Sequence, residues 1–139
     1  MNEIEFKVKF LDRKSTWVTV SLTDDYTLRD LNDAIQDALG WMNDHLFEFI
    51  MEGRPYSPDC RSYQCESDDV DINDPTFLGF AERTKINTLK LVPKQKILYH
   101  FDFGDEHFFE VHVIEVRSVP KSTKPKITGR SEKIPKQYR

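Results

Sequence analysis

Two stretches in which side chains alternate between an apolar and a more polar face lie close together near the start of this 139-residue chain. They cover residues 4–10 and 16–22, and the short polar stretch 12–15 separates them. A period of two places successive side chains on opposite faces of a strand, so each stretch predicts a strand with one buried face. Two such strands with a short polar connection predict a β-hairpin.

One amphipathic helix is predicted directly after the hairpin. Thr27 and Asp30 have the spacing of a capping box, which predicts where the helix begins, and Gly40 predicts where it ends. Apolar residues at helical spacing lie between these positions: Leu28, Leu31, Ile35, Ala38 and Leu39. The helix therefore has one apolar face, which is expected to cover the apolar face of the sheet. Trp41 is expected to pack near the helix end.

The middle of the chain predicts one further strand and a long irregular segment. Residues 45–52 alternate, and the Gly-Arg-Pro sequence at 53–55 predicts the end of that strand. Residues 56–73 are acidic and predict an irregular loop. A short helical turn is predicted over residues 74–80, because Asp-Pro suits the cap and first position of a helix. A short strand is expected over residues 88–92.

Residues 97–113 predict a second hairpin with a three-residue loop at 104–106. The preferred register pairs Phe103 with His107, because it brings the apolar side chains to one face. The other face carries a mainly polar set: His100, Asp102, Phe108, Glu110 and His112. This face is expected to point to water, although histidines and carboxylates on neighbouring strands are also close enough to share a metal ion.

The order strand, strand, helix, strand, loop, strand, strand predicts an α+β fold in a single domain over residues 1–139. A hairpin followed by a crossing helix and a third strand is the beginning of a β-grasp, or ubiquitin-like, roll. The length suits one domain. No apolar run approaches the roughly 20 residues of a membrane span, and the first residues lack a signal-peptide pattern, so we expect a cytoplasmic protein.

Charge is distributed unevenly along the chain. Residues 1–119 carry 13 basic and 23 acidic side chains, a net charge of −10, whereas residues 120–139 carry seven basic and one acidic side chain, a net charge of +6. The acidic body repels phosphate and predicts a poor nucleic-acid surface. The basic C-terminal segment is expected to dock on the acidic body through Ile127 and Ile134, with nucleic-acid contact as the alternative.

Complete catalytic motifs are missing from the sequence. It contains no glycine-rich phosphate loop, nucleophile elbow or zinc-protease helix. Asp44 and His45 are arranged like a base with its orienting carboxylate, but no motif ties a serine or cysteine to them. Cys60 and Cys65 have no second pair at zinc-site spacing, so they are interpreted as free thiols. No metal or other cofactor is predicted.

Several blocks of residues together resemble one known family. The first runs from Leu31 to Phe49 and includes Ile-Gln, Leu-Gly-Trp and Asp-His-Leu; the second is Tyr-His-Phe-Asp-Phe-Gly-Asp at residues 99–105; a closing Gly…Pro-x-Gln-Tyr element lies within residues 129–138. The family is named after the third open reading frame of a root-inducing plasmid. The resemblance implies a single α+β domain in the prokaryotic cytosol, sometimes encoded on plasmids or beside transposition genes, and implies little about activity.

The sequence departs from the commonest family pattern after the second block. A tryptophan and a histidine are frequent there, whereas His107 and Phe109 occupy these positions here. A cysteine-rich segment of other members is also absent, so no metal or catalytic role is carried over. Asp102, Gly104 and Asp105 suit a tight hairpin turn, in which glycine supplies a positive φ and aspartate accepts backbone hydrogen bonds.

These observations predict a small non-enzymatic protein-interaction module with a protein partner of unknown identity. The first alternative is a nucleic-acid-associated accessory protein of plasmids or transposable elements, which would use the basic C-terminal segment. The second alternative is a metal-dependent enzyme that uses His45, Asp102, Asp105 or His107. The candidate functional surface consists of six residues: Asp44, His45, Asp102, Gly104, Asp105 and His107.

Overall fold

The computed structural model describes residues 1–52 and 60–137 of the chain. Within them lie β1 (Asn2–Phe10), β2 (Arg13–Thr23), α1 (Leu28–Leu39), β3 (Phe47–Glu52), β4 (Arg61–Gln64), β5 (Phe77–Phe80), β6 (Lys96–Phe101), β7 (His107–Ser118) and β8 (Lys126–Arg130). Two 3-10 turns, Ala81–Arg83 and Ile86–Leu89, follow β5. This mixture confirms the α+β class. The strand end predicted at residues 53–55 falls outside the described residues.

The eight strands form one sheet in the order β5-β4-β3-β6-β7-β1-β2-β8. Neighbouring strands are antiparallel except β4 and β5, which are parallel. The helix packs on this sheet, and apolar side chains from both form the core. The finer β-grasp assignment is not confirmed by this strand order and stays a prediction.

The first hairpin has the predicted antiparallel pairing. Phe6 lies opposite Val20, and both side chains are buried on the apolar face. The turn is shorter than the predicted polar stretch 12–15, because β2 begins at Arg13 and residues 11–12 form the turn. Within the predicted loop, Arg13 pairs with Phe10, and a register shift separates this pair from the pair of Lys9 and Trp17.

The helix begins and ends as predicted. The Thr27 hydroxyl accepts the backbone N–H of Asp30 at 3.2 Å, and the Asp30 carboxylate accepts the backbone N–H of Thr27 at 2.9 Å. Gly40 ends the helix with φ 72°, a left-handed conformation that glycine adopts without strain. Trp41 is buried near the helix end, as predicted. Among the described residues, no helix has the length and apolar character needed to cross a membrane.

A buried polar network joins the helix to the middle of the sheet. Gln36 Nε2 donates to the Tyr99 hydroxyl at 3.0 Å, and that hydroxyl donates to the side-chain oxygen of Asn32. All three side chains are fully buried, and burial raises the pKa of Tyr99 well above its usual range. Because buried polar groups must find partners, the network fixes the helix over β6.

Two predictions for the segment between β3 and β6 are wrong, and a third is correct only in part. The predicted helical turn at 74–80 contains β5 instead. Asp74 does cap a turn, by accepting the backbone N–H of Thr76 at 2.8 Å, but pairing with β4 then extends the chain. Within the predicted loop 56–73, residues 61–64 form β4, which pairs with β3, whereas residues 65–73 are irregular as predicted; residues 56–59 lie outside the described residues. The predicted strand 88–92 overlaps a 3-10 turn instead. Long-range pairing overrides the local signals at these edges.

The second hairpin is present, with a register that differs by two residues from the prediction. Phe101, rather than Phe103, pairs with His107, and the loop comprises residues 102–106. Asp102 causes this difference, because it leaves the strand with φ 65°. A shift of two keeps every paired side chain on its predicted face. Phe103 lies in the loop and is 42% exposed, so its predicted place in the core is wrong.

The face of this hairpin that was expected to point to water is largely buried. His100, Asp102 and Glu110 are 4%, 5% and 6% exposed. The reason is that β6 and β7 are central strands whose neighbours supply partners on this face. The Nδ1 atom of His100 lies 2.8 Å from Glu48 Oε2, and its ring stacks on Phe108 at a centroid distance of 4.2 Å.

The basic C-terminal segment contacts both the sheet and the helix end. Its strand β8, which the alternation analysis did not predict, pairs with β2 at the edge of the sheet. Lys126 Nζ lies 3.4 Å from a carboxylate oxygen of Glu3. Further along, the Trp41 Nε1–H donates to the carbonyl oxygen of Pro135 at 2.9 Å.

Replacing Tyr99 by phenylalanine is expected to lower the free energy of unfolding by about 1–3 kcal/mol, because Asn32 and Gln36 lose a buried partner. Urea denaturation followed by circular dichroism measures this loss. Tyr63→Phe, at a half-buried tyrosine outside the network, is the matched control and is expected to change stability much less. An equal loss in both variants would contradict the role given to the network.

Candidate functional site

The six predicted site residues lie at one end of the sheet. Asp44 and His45 immediately precede β3, and the other four lie within residues 102–107. β3 and β6 are antiparallel neighbours, with Phe47 opposite Phe101. The start of β3 therefore lies beside the end of β6, and segments distant in sequence come together there.

Asp102 organises the loop between β6 and β7. Its Oδ1 atom accepts the backbone N–H groups of Gly104 and Asp105 at 3.0 and 3.2 Å, as the turn interpretation predicted. The positive φ was assigned to the wrong residue: Asp102 and Glu106 adopt it, with φ 65° and 55°, and Gly104 does not. A Cβ atom at position 104 would lie 3.3 Å from Asp102 Oδ1, so close approach explains the glycine.

His45 lies between two carboxylates. Its Nε2 atom is 3.4 Å from Asp102 Oδ2 and 3.6 Å from Asp44 Oδ1. The same Asp44 oxygen accepts a hydrogen bond from Gln137 Nε2 at 2.7 Å. The arrangement links the residues before β3 to the β6–β7 loop on one side and to the C-terminal segment on the other.

A second cluster lies on the β7 side of the loop. Asp102, Asp105 and His107 each offer a ligand atom, and these atoms lie within 4.8 Å of one another. The His107 ring packs against Trp41 at a centroid distance of 4.7 Å, and its Nε2 atom is buried with no hydrogen-bond partner among the described residues. Carboxylates and imidazole are donors that divalent metal ions accept.

A cleft of about 640 Å³ adjoins His107. Four parts of the chain form its walls: the β1–β2 turn, Trp41, the start of β7 and residues 135–137. The sequence alone does not reveal this cleft, because its walls come from positions that no motif connects. Trp41 directly after the helix cap and the closing Pro-Lys-Gln element were the available signals.

The environment of Cys65 lowers the reactivity of its thiol. Neither Cys60 nor Cys65 forms a disulfide. Cys65 Sγ lies 3.5 Å from Glu82 Oε2, and burial together with this carboxylate raises the pKa of the Cys65 thiol to about 11. Near neutral pH this thiol is therefore protonated and a poor nucleophile or metal ligand.

Comparison with known proteins identifies a family and a similar fold. Residues 2–137 match the family described as plasmid pRiA4b ORF-3-like protein. The crystal structure of a protein of unknown function from Methanosarcina mazei Go1 is similar, with a TM-score of 0.74 and 20% sequence identity. That comparison covers 99% of this chain and 73% of the archaeal chain, and it shows the fold alone. No curated protein matches the sequence.

Cys65 is expected to react slowly with iodoacetamide. With a pKa of about 11, roughly one thiol in a thousand is ionised at pH 8, and the rate should rise as the pH approaches 11. Mass spectrometry of peptides from time-quenched samples measures the rate. Glu82→Gln removes the neighbouring negative charge and should speed the reaction at pH 8. A wild-type rate equal to that of an unperturbed thiol would contradict the assignment.

Asp102→Ala is expected to lower the free energy of unfolding by about 1–3 kcal/mol, since two loop N–H groups lose their acceptor and alanine tolerates a positive φ poorly. Asp105→Ala should have little effect, because its carboxylate is exposed and its backbone N–H makes the loop contact. Chemical denaturation of the two variants measures the difference. Equal losses would show that Asp102 has no special role in the loop.

Proposed function

The chain belongs to the plasmid pRiA4b ORF-3-like protein family, and we propose that it is a non-enzymatic module that binds a short segment of a partner protein in the cleft beside Trp41. The observation that carries this proposal is the composition of the cleft wall. It combines aromatic rings with charged groups of both signs. Its volume of about 640 Å³ lies within the range of ligand-binding clefts.

The apolar part of the cleft suits the side chain of a partner. Phe10 and Trp41 line it, and their rings pack together at a centroid distance of 6.0 Å; Leu11 and Pro135 add further apolar residues to the lining. Leu11 is 36% exposed, so part of this apolar surface contacts water in the free protein. Burying an apolar side chain of a partner here removes that surface from water, which is the main driving force for association.

The charged part of the cleft favours a peptide over a phosphate backbone. Arg13 and Lys136 contribute positive charge, and Asp12 and Glu106 contribute negative charge. A nucleic-acid groove concentrates positive charge, and acidic residues at its walls repel phosphate. A peptide with side chains of both signs meets complementary charges instead.

The cleft wall also favours binding over covalent catalysis. Among its described residues there is no serine, threonine or cysteine to act as a nucleophile beside His107. The acid–base pair of His45 and Asp44 is tied to Gln137 and Asp102 by the contacts given above. A nucleophile within hydrogen-bond reach of a base is the usual requirement of such catalysis.

Nucleic-acid binding through the basic C-terminal segment is the alternative function. Its support is the net charge of +6 in residues 120–139. Part of that charge faces the acidic body, since Lys126 contacts Glu3, and Lys136 lies at the cleft. The alternative predicts steep loss of binding with rising salt concentration.

The proposal is tested by substitution at the cleft wall. The tagged chain is isolated from its native cells with nuclease, and the affinity of each purified partner is then measured by calorimetry. Leu11→Glu is expected to weaken binding at least about tenfold, because it places a charge on the apolar wall. Ile114→Glu, at a 46% exposed position of β7 outside the cleft, is the matched control and should bind like the wild type.

Two outcomes would contradict the proposal. A partner that binds Leu11→Glu as tightly as the wild type would show that the cleft is not its binding site. Material that co-purifies only without nuclease, and that dissociates in high salt, would favour the nucleic-acid function instead.

A further inference from the structure

We propose that Asp102, Asp105 and His107 form a binding site for one divalent transition-metal ion, with His45 beside Asp102 as a further ligand. This inference goes beyond the proposed peptide-binding function and does not depend on it. From the sequence, metal binding by these residues is only the second alternative, as part of a metal-dependent enzyme. The structure brings together three donors that the sequence separates by a turn.

The spacing of the donors is close to that of a coordination sphere. Their ligand atoms lie within 4.8 Å of one another. In a tetrahedral site with metal–ligand bonds of about 2.0–2.2 Å, neighbouring ligand atoms are roughly 3.3–3.6 Å apart. The donors are therefore somewhat farther apart than in a closed site, and Asp105, which is exposed, is the ligand with room to move.

Two of the three ligands are held in place before any ion binds. Asp102 is 5% exposed, and its Oδ1 atom is fixed by the N–H groups of Gly104 and Asp105. Its Oδ2 atom receives neither of these bonds and lies 3.4 Å from His45 Nε2. The His107 ring is held by Trp41. Preorganised ligands lower the entropic cost of binding.

His107 supplies an observation that the turn geometry does not explain. Its Nε2 atom is buried and makes no hydrogen bond to the described residues. Leaving a buried polar atom unsatisfied is unfavourable, so such atoms in native proteins commonly mark a ligand or a functional role. The hydrogen bonds within the loop explain the position of the Asp102 side chain alone. A bound cation would explain why the side chains of Asp102, Asp105 and His107 all converge.

The donor set selects a class of metal. Calcium and magnesium prefer all-oxygen sites, whereas imidazole nitrogen suits zinc, iron, nickel and copper. The imidazole nitrogen therefore favours Zn²⁺ over Ca²⁺, and the two carboxylates also suit Mn²⁺. The two negative charges of Asp102 and Asp105 balance the charge of a divalent ion.

The test is calorimetric titration of the chelator-treated full chain with Zn²⁺ and with Mn²⁺, and with Ca²⁺ for comparison. We expect one equivalent of Zn²⁺ or Mn²⁺ to bind, with weaker binding of Ca²⁺. Asp105→Asn and His107→Gln should each reduce the affinity at least about tenfold. Glu106→Gln and His112→Gln are matched controls for loop charge and for histidine, and both should bind like the wild type.

Absorption of bound Co²⁺ gives a second measurement that does not depend on affinity. Its visible bands should change in His107→Gln and stay unchanged in His112→Gln, because only the former removes a nitrogen ligand. Asp105→Asn lies at an exposed position, so its thermal unfolding without metal should match that of the wild type. This agreement would separate loss of a ligand from loss of folding.

Three results would overturn the proposal: no stoichiometric binding of Zn²⁺ or Mn²⁺, unchanged affinity in Asp105→Asn, or binding that is lost in Cys65→Ser and thus depends on a thiol. The cleft variant Leu11→Glu should bind the metal normally. Failure of peptide binding and failure of metal binding are therefore distinguishable.

Discussion

The antiparallel pairing of β1 with β7 is the interaction on which the rest of the structure depends. It joins the N-terminal and C-terminal hairpins into one sheet, with Phe10 opposite Phe109. It also gives β1 a neighbour on each side, which leaves no exposed edge at this strand. The Leu11 N–H donates to the Phe108 carbonyl at 3.0 Å, so the contact continues beyond the strand into the turn. The apolar face formed in this way is the surface on which the helix packs.

The same pairing places the walls of the cleft. The β1–β2 turn lies beside the start of β7 because the two strands are in register at that end. Trp41 lies at the cleft because Gly40 ends the helix there. The C-terminal segment is held beside Trp41 by two hydrogen bonds: the Trp41 Nε1–H donates to the Pro135 carbonyl, and the Met42 N–H donates to the Gln137 side-chain oxygen at 2.7 Å. The cleft is thus a product of long-range contacts between local elements.

Asp102 connects the fold to the proposed chemistry. One oxygen of its carboxylate stabilises the β6–β7 loop, and the other lies toward His45. A single residue therefore has a structural role and a place in the proposed metal site. For this reason the same residues were predicted both as a turn and as part of a functional surface. Substitution of Asp102 affects both roles, whereas substitution of the Asp105 carboxylate affects only the proposed metal site.

Features that depend on neighbouring residues were determined by the sequence itself. Periodicity identified the two hairpins, and Thr27, Asp30 and Gly40 identified the helix, because alternation and caps act over a few residues. The sequence also identified six candidate site residues, which the structure places at one end of the sheet. Only the tertiary structure determined four features: the strands β4, β5 and β8, the two-residue shift in the register of the second hairpin, the burial of His100, and the cleft. Each of these depends on which distant strands pair and on what covers them, and no local pattern carries that information.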